Sequence, residues 1–533
     1  TKELVTVAIT NAAKVGTSPN TENKDNIQNR IYQLSLSCRS GSGIQAYIGT
    51  SQSVNGLENQ VLALQYKDSP VYGVGHGASV DWLETTSGVA EEVFLTYAPS
   101  ALVNKPIFDS LQLTTGDVFE DIEILSLSEL ASPQSTQKNI ADRLAEFTKF
   151  YGQWIETQRA EIIPKELNNA ANYLIDGMDR CRRRMKQGID LLRTDSSCWN
   201  AFQLANSAML IQMDQNIRVN QLRENCGKTD SDWPIPASEG VNNLDNEVPF
   251  QLTAKWRPFQ LAFFLMTFAD LEDPEGKDSE LVDLIWFSTG GGKTEAYLLL
   301  AAYELIRRRF RYERTEVGFG TGVITRYTLR FLTADQFSRT ASLICALEKL
   351  RRKDVAFLGE EPFSLGLYAG GAVSYNKLKS AEESLQRLKE NPNESHLFQI
   401  EYCPNCATAI FPKSLSFNAH GEPDYSDYGI KSIGKKVEVY CPNVHCLFSD
   451  GDGIPIRTVD DDVFNYPPSF LLGTVDKFAN FAFGSREGNL FKGVDGQQAP
   501  PSLIIQDELH LISGPLGTIS AIYESAFDSL IRH

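Results

Sequence analysis

Short apolar segments separated by polar, turn-forming residues fill the first stretch of the chain. Val5–Ile9, Tyr32–Leu36 and Val61–Leu64 are examples, and each lies between clusters of Gly, Ser or Asn. Apolar runs of this length between turn residues are typical of β-strands. We therefore predict a β-rich domain over residues 1–130.

After Pro133 the apolar residues recur with a helical period. The first series is Ile140, Leu144, Phe147, Tyr151 and Trp154. A second series runs over 167–192, and residues 199–213 suggest another helix. Because this period places apolar side chains on one helix face, it predicts an α-helical domain over 131–227. A Pro- and Asn-rich linker follows at 228–249.

From residue 250 the pattern alternates between helix and strand. The run Leu261–Met266 predicts a buried helix, Leu281–Phe287 a buried strand, and Glu295–Arg309 a second helix. A strand, a tight turn and a helix in succession are the unit of α/β domains. We therefore predict an α/β domain over residues 250–533.

The turn between that strand and helix reads Ser-Thr-Gly-Gly-Gly-Lys-Thr over 288–294. Glycines let the backbone approach an anion, and the helix N-terminus adds a favourable dipole. We therefore predict an ATP-binding phosphate loop, in which Lys293 reaches the outer phosphates and Thr294 binds Mg²⁺. The backbone around the phosphates comes from Thr289, Gly290, Gly291 and Gly292. Phe287 stands where the strict motif has Gly, and a glycine-rich turn without ligand is the alternative.

A second acidic motif follows the apolar run Leu503–Gln506. Asp507 is the expected second Mg²⁺ contact, and Glu508 is placed to orient the attacking water. The alternative is a strand that ends in a solvated acidic cluster.

The spacing between Lys293 and Asp507 exceeds what the strands and helices of one lobe require, which predicts an insertion. Two cysteine pairs, Cys403 with Cys406 and Cys441 with Cys446, match a tetrahedral Zn²⁺ site in a zinc ribbon at about 400–450. The second pair has four intervening residues, so His445 could replace one of its cysteines. Four reduced cysteines without metal are the alternative. For such a zinc we favour a scaffold role over nucleic-acid contact.

Several segments resemble the motifs of superfamily-2 helicases. Trp256-Arg257-Pro258-Phe259-Gln260 resembles their Gln motif, which implies ATP contacts from Arg257 and adenine recognition by Gln260. The run Tyr327–Arg339 resembles the first nucleic-acid-contact motif, and Phe470–Lys477 resembles the next one. The implied nucleic-acid contacts are Arg330, Thr333, Arg339, Gly473 and Thr474. Plain core strands with capped helices remain the alternative for both segments.

Asp507-Glu508-Leu509-His510 is the DExH form of the second helicase motif, in which the His usually couples the ATP and nucleic-acid sites. The longer run Gln506–Thr518, together with Ser288–Tyr297, resembles the helicase subunit of the DISARM anti-phage defence system. This resemblance implies a RecA-like lobe over 250–533, DNA as the track, and a second subunit of that system as a partner. The lobe that supplies an arginine finger is expected outside this chain, so we expect weak ATP binding and slow turnover from residues 1–533 alone.

Two other functional classes stay open. One is an ATP-gated nucleic-acid clamp or sensor that does not unwind, and the other is a zinc-containing structural adaptor. Glu508 favours the motor, because a pure switch needs no water-orienting carboxylate. The adaptor leaves the loop at Lys293 and Thr294 unexplained.

Composition limits how DNA could be bound. Lys and Arg number 50 and Asp and Glu 68, giving a net charge of −18. Such a balance argues against binding over the whole surface and for a local channel. The nine cysteines, four of them in metal-like spacing, favour a reducing compartment, and we predict a cytoplasmic protein without a membrane span. The basic cluster Arg180, Arg182, Arg183, Arg184 and Lys186 could contact nucleic acid or a partner, and we favour a solvated helix face over that alternative.

Overall fold

The computed structural model describes most of the chain. The described residues are 5–8, 34–46, 56–85, 88–96, 108, 110–225, 234, 254–278, 280–287, 290–328, 334–482, 486–512 and 514–532. They fall into two compact units, one of Thr1–Ile107 with Ile155–Met178 and one of Phe108–Trp154 with Asp179–His533.

The first unit contains a three-stranded antiparallel sheet. The strands β1 (Ser37–Ile44), β2 (Ser79–Glu84) and β3 (Ala90–Thr96) are arranged in the order β1-β3-β2. The strand predicted at Val61–Leu64 is wrong, because these residues lie in helix α1 (Leu57–Gln65). Leu57, Val61 and Leu64 have helical spacing, which a view limited to four residues misses. Val5–Ala8 and Leu34–Leu36 form no strand, and Ile9, Tyr32 and Gln33 lie outside the described residues.

Helices fill most of the region that was predicted to be helical, and its bounds as a domain stay a prediction. After the short helix α2 (Leu127–Ala131) come α3 (Gln137–Arg159), α4 (Asn168–Thr194) and α5 (Ser196–Asn225). Pro164 lies between α3 and α4, as its missing N–H group requires. The predicted buried helix is α6 (Pro258–Glu272), in which Leu261, Phe264 and Leu265 are fully buried.

A five-stranded parallel sheet forms the centre of the second unit. Its strand order is β10-β5-β11-β4-β12, from β4 (Val323–Tyr327), β5 (Leu365–Tyr368), β10 (Ile456–Arg457), β11 (Phe470–Thr474) and β12 (Leu503–Gln506). Every residue of β4, β5 and β11 is buried, as in parallel sheets covered on both faces. Helix α7 (Lys293–Arg311) contacts β4 and β12. The mixed α/β class is therefore confirmed, and the RecA-like assignment stays a prediction.

The strand predicted at Leu281–Phe287 is wrong. The segment joins no sheet, and the side chains of Val282 and Trp286 are 89% and 87% exposed. Arg184 of α4 donates two hydrogen bonds to Asp283, both at 2.6 Å, and Phe287 stacks on Phe259 of α6 at 4.3 Å. These contacts hold the segment beside α4 and α6, outside the sheet.

The remaining elements surround the sheet and build the insertion. They are α8 (Ala334–Lys353), α9 (Val355–Leu358), α10 (Leu378–Glu390), β6 (Ser416–Phe417), β7 (Pro423–Asp424), β8 (Ile430–Ile433), β9 (Lys436–Val439), α11 (Asp460–Asn465), α12 (Val475–Phe478), α13 (Asn489–Lys492) and α14 (Gly514–Arg532). Among the described helices, none has the length and apolar character needed to cross a membrane.

Candidate nucleotide site and metal centre

The glycine-rich loop meets α7 at Gly292, the residue that precedes the helix. Gly290 and Gly292 have φ angles of 77° and 85°, in the region that favours glycine. A Cβ atom on Gly292 would lie 2.6 Å from Nε2 of Gln260, so a larger residue there would displace the Gln260 amide from the loop. Ser288 and Thr289 lie outside the described residues.

Arg257 and Gln260, the predicted ATP contacts, hold this loop from the start of α6. The Gln260 amide donates from Nε2 to the Gly292 carbonyl at 2.6 Å and accepts at Oε1 from the Arg257 N–H at 2.8 Å. The Arg257 guanidinium donates to the Gly291 carbonyl. Both side chains therefore hydrogen-bond to the glycine-rich loop. Adenine recognition by Gln260 stays a prediction.

The structure brings Thr294 and Asp507 together through one phenol. The Tyr297 hydroxyl lies 3.3 Å from Thr294 Oγ1 and 2.7 Å from Asp507 Oδ2. It also lies 2.7 Å from the hydroxyl of Tyr327, at the end of β4. Burial raises the pKa of both tyrosines well above the ordinary value, so both are neutral phenols. The hydroxyl of Thr294 and the carboxylate of Asp507 are oxygen donors of the kind that suits Mg²⁺.

Glu508 and His510 form a second pair at the end of β12. Glu508 has a φ of 49°, an uncommon conformation for a residue with a side chain and one that is concentrated at functional sites. Nδ1 of His510 lies 3.3 Å from Oε2 of Glu508. The Glu508 side chain is 19% exposed and that of His510 67% exposed. No described residue forms an ion pair with Lys293, the first residue of α7.

The predicted nucleic-acid contacts are placed only in part. Arg330 and Thr333 lie outside the described residues. The Arg339 guanidinium binds the carboxylates of Glu295 and Asp335 at 2.7 and 2.9 Å. Gly473 is required by packing, because a Cβ atom there would lie 2.8 Å from the Phe478 ring.

Thr474 follows Gly473 at the end of β11. Its side chain is fully buried, and among the described residues its hydroxyl has no hydrogen-bond partner. DNA binding by these residues stays a prediction.

Most of the basic cluster on α4 is solvated, as predicted, because Arg180, Arg183 and Lys186 are exposed and Arg182 is half-buried. Arg184 is buried and bonded to Asp270 and Asp283, and Arg183 pairs with Asp278 at 3.4 Å. Arg182 pairs with Asp179 of its own helix at 3.1 Å. These arginines bind acidic residues of the chain itself.

The four predicted zinc ligands converge in the insertion. Their Sγ atoms all lie within 4.8 Å of one another, and the side chains of Cys403, Cys406, Cys441 and Cys446 are buried. Two of the separations are 3.9 Å (Cys403 to Cys446) and 3.4 Å (Cys406 to Cys441). Tetrahedral zinc with Zn–S bonds of 2.3 Å places sulfurs about 3.8 Å apart, so the cluster fits this metal. His445 is exposed and is not part of the cluster.

Asn405 links this cluster to two helices. Its Nδ2 donates to Cys446 Sγ at 3.4 Å, while its Oδ1 accepts from Gln215 of α5 at 2.8 Å and from Lys349 of α8 at 3.3 Å. Arg352 of α8 donates to the carbonyls of Leu447 and Gly453 at 2.7 and 2.9 Å. The insertion is thus bonded to helices next to the sheet, as a scaffold would be.

Sequence reasoning missed Tyr297, Tyr327 and Asn405. Tyr297 lies three residues after Thr294 in a predicted helix, so their shared helix face was a usable signal. Tyr327 and Asn405 stand inside quoted motifs, but only the fold shows what their side chains contact.

A glycine-rich loop at a helix start and an acidic pair at the carboxyl end of a parallel strand form the candidate site of this α/β protein. No family model matches the chain. The chain is similar to DISARM protein DrmA of Bacillus paralicheniformis (strain ATCC 9945a / NCIMB 11709 / CD-2), with 29% identity over an alignment of 550 residues. The alignment covers 95% of this chain and 46% of DrmA, so the chain spans about half the length of that relative. The resemblance expected from the motifs is confirmed.

Proposed function

We propose that this chain forms the ATP-hydrolysing part of a DNA helicase or translocase that acts in anti-phage defence. The observation that carries the proposal is the meeting of Thr294 and Asp507 at the Tyr297 hydroxyl, at 3.3 and 2.7 Å. Tyr297 and Asp507 are 210 residues apart in the sequence, so this contact joins the two motifs through the tertiary fold. The similarity to DrmA supports the defence role.

Each part of the site has a role in this proposal. The backbone of Gly290–Gly292 and the Lys293 ammonium bind the phosphates of ATP, and Arg257 and Gln260 support the loop from behind. Thr294 and Asp507 hold Mg²⁺, which neutralises phosphate charge when bound. Glu508 orients the attacking water. His510, whose Nδ1 lies 3.3 Å from Oε2 of Glu508, links the site to the DNA-binding segments.

The wider assignment follows from the resemblance. A RecA-like lobe over 250–533, single-stranded DNA or duplex with a single-stranded end as the track, and a second, DrmB-like subunit as a partner belong to the proposal. A zinc ion in the four-cysteine cluster gives the insertion its core. The described cysteines form no disulfide bonds with one another, which supports a cytoplasmic location.

Replacing Glu508 by Gln tests the hydrolytic role. In the whole protein we expect Glu508→Gln to lower ATP turnover roughly a hundredfold or more, because the neutral amide cannot accept a proton from water. ATP binding should change little, since the substitution keeps the shape of the side chain. Phosphate release and equilibrium binding of ATP measure the two effects.

Glu316→Gln, an exposed position outside the site, is the matched control and should keep wild-type turnover. Unchanged turnover in Glu508→Gln would remove the water-orienting role. Wild-type protein that binds ATP but never turns it over would favour the clamp or sensor instead.

A further inference from the structure

Tyr297 has more polar contacts than a core tyrosine needs. Its ring is buried in α7, and its hydroxyl lies within hydrogen-bond distance of Thr294 Oγ1, Asp507 Oδ2 and the Tyr327 hydroxyl, at 3.3, 2.7 and 2.7 Å. A phenylalanine would fill the same space without these bonds. The hydroxyl therefore has a task that packing does not explain.

The donors and acceptors can be assigned from chemistry. An ionised carboxylate only accepts, so the single phenol proton of Tyr297 goes to Asp507 Oδ2. The Tyr297 oxygen is then left to accept from the hydroxyl of Tyr327 or Thr294. The Tyr327 hydroxyl also lies 3.3 Å from Oε1 of Gln336, in α8. Tyr327 thus holds the phenol of Tyr297 from the side of β4.

We propose that Tyr297 is a positioning residue that holds Thr294 and Asp507 in the arrangement that magnesium requires. The inference rests on the proposed function and gives Tyr297 a role that the sequence motifs did not assign to it. Mg²⁺ demands near-ideal octahedral geometry, so ligands from two distant motifs must be oriented together. A buried hydrogen bond that fixes the Asp507 carboxylate beside Thr294 lowers the entropy that is lost when the metal binds. Residues that hydrogen-bond to metal ligands have this effect in other metal sites.

The test compares ADP binding by calorimetry in EDTA and in excess Mg²⁺, using the whole protein. In the wild type we expect Mg²⁺ to tighten ADP binding. In Tyr297→Phe the affinity for ADP in EDTA should stay within about twofold of the wild-type value. The increase in ADP affinity that Mg²⁺ causes should be smaller by roughly 3- to 10-fold, which is the effect of one lost hydrogen bond. Tyr327→Phe, which removes the hydroxyl that contacts the Tyr297 phenol, should lower the gain in ADP affinity from Mg²⁺ by a smaller factor.

Tyr303→Phe is the matched control. Tyr303 is also buried in α7, but its hydroxyl bonds Glu272 at 2.8 Å, away from the loop. We expect it to keep the full gain from Mg²⁺. The positioning role would be overturned if Mg²⁺ increased the ADP affinity of Tyr297→Phe as much as that of the wild type. It would also be overturned if Tyr303→Phe lost as much of this increase as Tyr297→Phe does. Wild-type protein that binds no ADP under either condition would overturn the proposed function itself, which separates the two failures.

Discussion

Removal of zinc is expected to unfold the insertion around Cys403–Cys446 and to make its four buried thiols reactive. The insertion has strands of only two to four residues, which bury too little apolar surface to form a stable core alone. Its stability therefore depends on a link between the two cysteine pairs. Four thiolates bound to zinc would supply that junction, and binding of the metal would then be part of the folding free energy. We expect a chelator to lower the melting temperature by on the order of 5 °C or more.

Cysteine variants distinguish the loss of a zinc ligand from the loss of a buried thiol elsewhere. Cys441→Ser should lose most of the bound zinc, while Cys198→Ser, a buried cysteine of α5 outside the cluster, should keep about one zinc per chain. Metal analysis measures the zinc content of each variant, and thiol titration measures the reactivity of its cysteines. Protein that contains no zinc, and whose melting and thiol reactivity do not respond to chelation, would leave four reduced cysteines as the correct interpretation.

Replacing Lys293 by Ala is expected to weaken ATP binding roughly 10- to 100-fold. A charge-assisted bond to phosphate is worth about 1.5–3 kcal/mol, and an alanine cannot replace it. Lys293 begins α7 directly after Gly292, so its ammonium is placed where the helix dipole and the loop N–H groups also favour an anion. Equilibrium binding of ATP with and without Mg²⁺ measures the loss.

Lys353→Ala removes a lysine from the exposed end of α8 and serves as the control. It should bind ATP as the wild type does, because the end of α8 has no part in the loop. Equal binding by Lys293→Ala and the wild type would show that the glycine-rich loop is a structural turn.

The parts of the fold that follow from local pattern were predictable. Helices α3 to α7 have long apolar periods, and the spacing of the four cysteines alone predicted their cluster. The meeting of Thr294 and Asp507 also followed, because both were predicted to bind the same Mg²⁺.

The failures have a common physical cause. Leu281–Phe287 has the composition of a buried strand, but the bonds of Arg184 to Asp283 link positions 99 residues apart, and no local pattern contains that pairing. The three partners of the Tyr297 hydroxyl and the link from Asn405 to α5 likewise join distant segments. Periodicity shows which face of an element is apolar, whereas the partners of a polar group depend on the tertiary fold.

The most direct test of the account is ATP hydrolysis by the whole protein, measured with and without single-stranded DNA. We expect DNA to raise ATP turnover and Lys293→Ala to abolish the DNA-dependent part of it. ATP binding without any DNA-dependent turnover would contradict the motor and favour a nucleotide-gated clamp or sensor.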